Sequence, residues 1–283
     1  MTIDNSSLTK ILSFDCNIQG GASFYLIISK LTVQKRLMQR FKILLPVLFS
    51  LIAAAAFSQT KRTSPFNRII VSPYIKVTLV QGDEESVTVN EMHVDSNKLH
   101  IEVNDKTLRI YLEGAKDLPK NEKDYSNGYK ETHPLYRNTS VVATITYKKL
   151  EALSLRGEED QLCKGPINGD KFILKIYGES NVTFDEMNLQ QLSATLYGEG
   201  TLAIKAGSID YQKYTSYGES KVNTLAIKSS TGRVTAYGRA DFKLNVTDRI
   251  KITSYGEAQL HYKGNPSIDK GWNFGETVIA KID

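Results

Sequence analysis

The sequence predicts an all-β fold, a parallel β-helix (β-solenoid) with coils of about 20 residues, and three observations predict it. First, a tripeptide keeps returning. Tyr177-Gly178-Glu179, Tyr197-Gly198-Glu199, Tyr217-Gly218-Glu219, Tyr237-Gly238-Arg239 and Tyr255-Gly256-Glu257 are spaced by 20, 20, 20 and 18 residues. A degenerate copy, Arg156-Gly157-Glu158, stands 21 residues before the first. Second, positions at a fixed offset from each Tyr are largely apolar. Third, the chain ahead of the repeats alternates apolar and polar residues with the period of two that marks a half-buried strand. Leucine-rich repeats share the period but need a recurrent Leu and Asn consensus, which is absent here.

Taken in order, the chain opens with a segment unlike the rest. Met38-Gln39-Arg40-Phe41-Lys42 is a short basic start, and Ile43 to Phe57 is an apolar run. Ala56-Phe57-Ser58 then gives a small-residue exit before Gln59, which completes the pattern of a secretory signal peptide over 38–58. The run falls short of the roughly 20 apolar residues a membrane helix needs, and an uncleaved anchor is the alternative. No Cys follows it to accept a bacterial lipid anchor. Residues 1–37 read as a non-native upstream extension, from a start placed ahead of Met38, with an unusually long signal as the alternative. Residues 59–283 are then a single domain.

Setting 1–58 aside removes six of the 36 Lys and Arg and two of the 31 Asp and Glu, leaving 30 against 29. A net charge of +1 gives no electrostatic case for nucleic acid or an anionic membrane as partner. Of the two Cys, only Cys163 remains, so no intrachain disulfide is available and the core must hold the fold.

Ile69 and Val71, then Ile75, Val77 and Leu79, alternate with polar neighbours before the turn Gln81-Gly82-Asp83. Val87 and Val89, 100–103 and 107–112 repeat the pattern. Residues 113–138 are polar, with Pro119, Gly128 and Pro134, and read as a loop insertion between coils in which Tyr125, Tyr129 and Tyr136 keep a contact role open. Residues 141–147 restart the strands.

Within the repeats, the residues five after Tyr are Val182, Leu202, Val222, Phe242 and Leu260. Three before lie Leu174, Ala194, Tyr214, Val234 and Ile252, and just before lie Ile176, Leu196, Ser216, Ala236 and Ser254. These are inward columns. Gly after each Tyr marks a corner needing a positive φ, and Ser180, Gly200, Ser220, Ala240 and Ala258 follow as small residues. Residues 262–283 leave the repeat register and read as a C-terminal cap, with Trp272 packing over the last coil.

Stacking such coils turns positions into columns. Glu179, Glu199, Glu219, Arg239 and Glu257 form one, with like charges about 4.8 Å apart that splayed rotamers, Arg239, Lys221 or a bound Ca²⁺ would relieve. Ca²⁺ needs six to eight oxygens, which one column supplies poorly. Tyr177, Tyr197, Tyr217, Tyr237 and Tyr255 form an outward aromatic strip, which either binds a glycan or a cell-surface protein or stacks on itself to stiffen the corner. A glycosidase needs carboxylates in two different environments, whereas these occupy one equivalent position. His93, His100, His133 and His261 show no zinc spacing, and no phosphate loop, nucleophile elbow or Cys-His pair stands out.

These residues resemble the head GIN domain family of auto-transporter adhesins, common in Bacteroidetes. The likeness rests on Phe66-x-x-Ile69-x-Val71, Val77-x-Leu79-x-Gln81-Gly82, Leu150-x-x-Leu153-x-Leu155-x-Gly157, the Gly-centred coils, Tyr262-x-Gly264-x-Pro266 and Gly275, and covers 66–283. The family's usual Ser-Gly-Ala corner is Tyr-Gly-Glu here. The resemblance implies an exported right-handed β-helix of unknown biochemical role. Together with the absence of a catalytic constellation in the sequence, the reading is an extracytoplasmic surface or envelope protein with an adhesin-like binding or structural role and no catalysis. The alternatives are a carbohydrate-active enzyme (a polysaccharide lyase or hydrolase) and a metal-stabilised envelope scaffold.

Overall fold

Each copy of the repeat sets its glycine on the one before. In a computed structural model that describes residues 59–117, 121–126 and 129–283, Gly157, Gly178, Gly198, Gly218, Gly238, Gly256 and Gly275 all turn with φ between +102° and +132°. A Cβ on Gly198 would lie 2.6 Å from the carbonyl oxygen of Gly178, and one on Gly218 2.7 Å from that of Gly198. No side chain fits such a gap, and L-residues resist that φ. The signal peptide and upstream extension read over 1–58 lie outside the described residues.

The corners hold parallel strands in register. Tyr177 pairs with Tyr197 and Tyr197 with Tyr217, and Asn181–Phe184 lies on Thr201–Ile204. The fold is therefore the expected all-β solenoid. Its interior is built from the columns named above: Leu174, Ala194, Tyr214, Val234 and Ile252 are all buried, as are Val182, Leu202, Val222, Phe242 and Leu260. Around Gln212 the polar residues that enter find partners, whereas the buried Ser216 and Ser220 hydroxyls have none among the described residues. The Tyr214 hydroxyl donates to Gln212 Oε1 at 2.6 Å, Thr224 donates to the same oxygen at 3.0 Å, and Gln212 donates to Ser229. Cys163 is a buried free thiol beside the Tyr147 hydroxyl at 3.5 Å, and burial pushes it up to about 11.

Ahead of the repeats the stacking order departs from chain order. Strands Arg68–Val71 and Ile75–Gln81 form a coil that lies between the coil of Ala152–Arg156 and the coil made by Thr107–Leu112 and Val141–Tyr147. Ser86–Met92 and Leu99–Asn104 then close the base, pairing antiparallel with Val141–Tyr147 and Thr107–Leu112. An antiparallel cap ends a parallel stack without offering an open parallel edge.

Three expectations change. The 113–138 insertion, read as loop, contains an antiparallel hairpin of Asn121–Ser126 with Tyr129–Pro134. Residues 262–283 do not leave the register but make a further coil, with Ser267–Phe274 and Thr277–Lys281 parallel to the coil before. Trp272 does not pack over that coil: it is 72% exposed. A bulge explains it, since Gly271 and Trp272 together face Thr253 between the Ile252–Lys270 and Ser254–Asn273 pairs, and the extra residue turns the indole outward.

Gly218→Ala is expected to lower stability by roughly 2–4 kcal/mol, from left-handed strain plus the clash with the glycine below. Glu199→Ala, at an exposed neighbouring position, should change it by less than about 0.5 kcal/mol. Denaturant unfolding of both variants measures the contrast.

Candidate functional site

The corner geometry throws two columns outward. The five tyrosines stack in one line, with successive ring centroids 4.8, 4.9, 4.8 and 5.0 Å apart and ring planes within 5° of parallel. Strand spacing sets those distances, and parallel rings so spaced fit an offset stack, worth about 0.5–1.5 kcal/mol a pair beyond area burial. Phe274 extends the line, 5.6 Å from Tyr255, and the Arg156 guanidinium covers the first ring, 5.5 Å from the centroid of Tyr177. Both faces of every tyrosine ring are thus occupied. What solvent meets is ring edges and hydroxyls: Tyr197, Tyr217, Tyr237 and Tyr255 are 38–40% exposed.

Beside them run the carboxylates. Glu179, Glu199, Glu219 and Glu257 are exposed, and Arg239 interrupts the row. Arg239 donates from Nη1 to Glu219 Oε1 at 3.2 Å and from Nε to Glu257 Oε2 at 3.0 Å. One arginine therefore relieves the charges on both sides of it, one of the four reliefs considered from sequence. Among the described residues no group of three or more His, Cys, Asp or Glu is arranged to hold a metal ion.

The columns run into a recess of about 1120 Å³ at the head of the ribbon. It opens where the tyrosine line gives way to Arg156, which pairs with Tyr177 in the register, and where the insertion folds back over the corners. Tyr74, Glu158, Tyr177 and Gly178 line it from the coils, and Asp117, Pro134 and Tyr136 to Thr139 line it from the insertion that overhangs them. Asp117 pins the overhang: Arg109 and Arg156 both donate to its Oδ1, and these two guanidinium groups hold its carboxyl below the usual range. Further ties run to the insertion backbone, from Ser72 Oγ to the Lys116 carbonyl at 2.6 Å and from the Tyr136 hydroxyl to the Glu113 carbonyl at 2.8 Å. Tyr74 meets Tyr136 with centroids 5.6 Å apart. Tyr74 holds a φ of +69°, unfavourable for a bulky side chain, and Asn138 one of +54°, which asparagine adopts readily. Buried Glu159 accepts from the Glu158 amide at 3.2 Å, and burial pushes its carboxyl up.

A family model for "putative auto-transporter adhesin, head GIN domain" matches residues 65–266. The chain belongs to this family. Solved structures of like fold include a putative adhesin from Bacteroides fragilis NCTC 9343, 19% identical, with TM-score 0.66 over 80% of this chain and 96% of that one. A putative lipid binding protein from Parabacteroides distasonis ATCC 8503 is also 19% identical, with TM-score 0.58 over 80% and 96%. A putative adhesin from Parabacteroides merdae ATCC 43184 is 16% identical, with TM-score 0.57 over 80% and 95%. At such identities the likeness is one of fold. No curated protein matches the chain.

In this head GIN domain the residues singled out from sequence do come together, as one ribbon along the corner. The recess was not foreseen. Its lining comes from five separate stretches with no shared motif, and only the imperfect copy Arg156-Gly157-Glu158 hinted that the ladder changes character there.

Arg239→Glu would leave an unbroken row of carboxylates along the ribbon, since Glu158 and Glu276 occupy the matching places in the flanking coils. The variant should melt below the wild type at low ionic strength, and added salt should narrow the gap by screening. Asp117 supplies a pH test. Its lowered value means that its contribution is complete above the ordinary carboxylate range and is lost as pH falls through the lowered value. The melting difference between wild type and Asp117→Asn should be present at neutral pH and close in acid.

Proposed function

We propose that the protein is an exported, non-catalytic adhesin-like module and that the tyrosine–glutamate ribbon is its contact surface. The observation that carries this reading is order. Tyrosines on a surface normally lose rotamer freedom on binding, but these are already fixed by stacking, so a partner meets a prepaid arrangement. Because the faces are occupied, recognition proceeds through phenol hydroxyls, ring edges and carboxylates. Identical groups recurring along an axis suit an extended, hydroxyl-rich partner, a glycan chain or a glycosylated surface protein, lying along the solenoid.

Family membership and the adhesin-named neighbours support the adhesin-like role. The basic and apolar pattern at 38–58 supports export and an extracytoplasmic location. No helix among the described residues is long and apolar enough to cross a membrane. A lyase or hydrolase would need carboxylates set apart by environment, whereas the ribbon glutamates share one exposed column.

Binding to a glycan array and to bacterial or host cell surfaces should be measured for wild type and Tyr217→Ala. The variant breaks the stack at its centre and is expected to lose at least about tenfold in affinity, the scale of one aromatic contact at an interface. Retained binding would move the contact surface elsewhere, and cleavage of a polyuronate that disappears in Glu199→Gln would replace binding by catalysis.

A further inference from the structure

We propose that the recess at the head of the ribbon is a separate binding site for a short neutral saccharide. The site adjoins the ribbon at Tyr177 and Glu158 and is tested apart from the ribbon's central tyrosines.

Its form is that of a built site. The volume of about 1120 Å³ has room for more than one sugar ring and lies at the upper end of small-molecule pockets. One strained residue, Tyr74, lines it beside Asn138, whose left-handed φ is ordinary for asparagine, and the other non-glycine residues with positive φ among the described ones, Asp105 and Lys106, sit in the turn of a hairpin. Backbone strain held in place at a recess is a mark of function, because something must over-determine it. Here the overdetermination is visible: the Asp117 clamp with Arg109 and Arg156, and the Tyr74–Tyr136 contact, fix the overhang before any ligand arrives.

The lining names the ligand class. Tyr74, Tyr136 and the two prolines offer apolar surface for the carbon side of a sugar ring. Asn138, Thr139, Arg137 and Glu158 offer donors and acceptors for hydroxyls. Of the charged groups, Arg137 and Glu158 are exposed and form no ion pair among the described residues, so each is free to bond a ligand. The lining sets two arginines against three carboxylates, and Asp117 already engages Arg156. Such a balance gives an anionic ligand no advantage. The wall is more apolar than polar, which suits the carbon faces of a sugar, while the five charged side chains along it disfavour an unbroken lipid chain. Neutral polyols, with paired hydroxyls and an apolar face, satisfy both.

The test is calorimetric and NMR titration of the full chain with xylotriose, cellotriose, maltotriose and mannotriose, and with trigalacturonate as the acidic comparator. At least one neutral trisaccharide should bind. Arg137→Ala and Glu158→Gln should each weaken it by roughly tenfold or more, the scale of a hydrogen bond to a charged group. Tyr217→Ala, on the ribbon, should leave it unchanged, which separates this site from the ribbon surface. Circular dichroism and melting curves check that the two recess variants, both at exposed positions, remain folded. Absence of binding by all four neutral sugars, binding of the acidic one alone, or affinity untouched in both recess variants would each overturn the proposal.

Discussion

The exclusion of a single atom governs this molecule. At each corner from Gly178 to Gly275 the chain of one coil passes so close over the next that a Cβ would meet a carbonyl oxygen at 2.3–2.7 Å. Only glycine meets that demand and the positive φ together. With the corners fixed, the strands on either side have no freedom of register, since slipping by one residue would put a side chain into the gap and turn the inward columns outward. Hydrophobic burial supplies most of the driving force, as in any domain. The glycine stack decides which of the many β arrangements that force selects.

Columns follow from register, and the columns have consequences that single residues do not. A tyrosine alone at an exposed corner would be mobile, whereas one held between two rings is ordered on both sides. The same repetition makes a row of glutamates, which is a liability, because repulsion adds along the row. Replacing one member by Arg239 answers it economically: a guanidinium has enough donors to serve the neighbours above and below. Arg156 plays the matching part at the end of the aromatic line, trading a ring face for a cation over Tyr177.

Legibility tracked repetition. Where a position recurs every coil, the residues stated their place: Leu196 and Val234 read as inward, Tyr217 and Glu219 as outward, and the structure has them so. The last coil was also written in the chain, as Phe274-Gly275-Glu276, but Phe in place of Tyr and the bulge at Gly271–Trp272 disguised it as a cap. What repetition does not encode was missed. That Arg68–Gln81 lies between coils that follow it in sequence depends on pairing partners about 40 and 80 residues away, and strand alternation carries no record of partners. The recess escaped for the same reason, being assembled from residues that share a place in space and no pattern in sequence.

The position of that recess is itself a product of the corner rule. An insertion between two stacked glycines would have to push apart chains already at contact distance, so the stack from Gly157 to Gly275 admits none. The corner joining Thr107–Leu112 to Val141–Tyr147 is different. Below it the link after Ser86–Met92 belongs to the antiparallel cap, with the His93 amide bonded to the Ser140 carbonyl, and above it the corner is Ser72-Pro73-Tyr74. Neither neighbour is part of the glycine column, so the chain is free to leave the corner at Glu113 and return at Ser140 without disturbing the strands it connects. Having left, it folds back over the nearest glycine corners, where Arg156 stands in place of a tyrosine and offers a guanidinium for Asp117 to hold. Thus the rule that keeps the rest of the solenoid uniform also confines variation to one end, and there the uniform ribbon meets an open, irregular recess lined by both apolar and charged side chains.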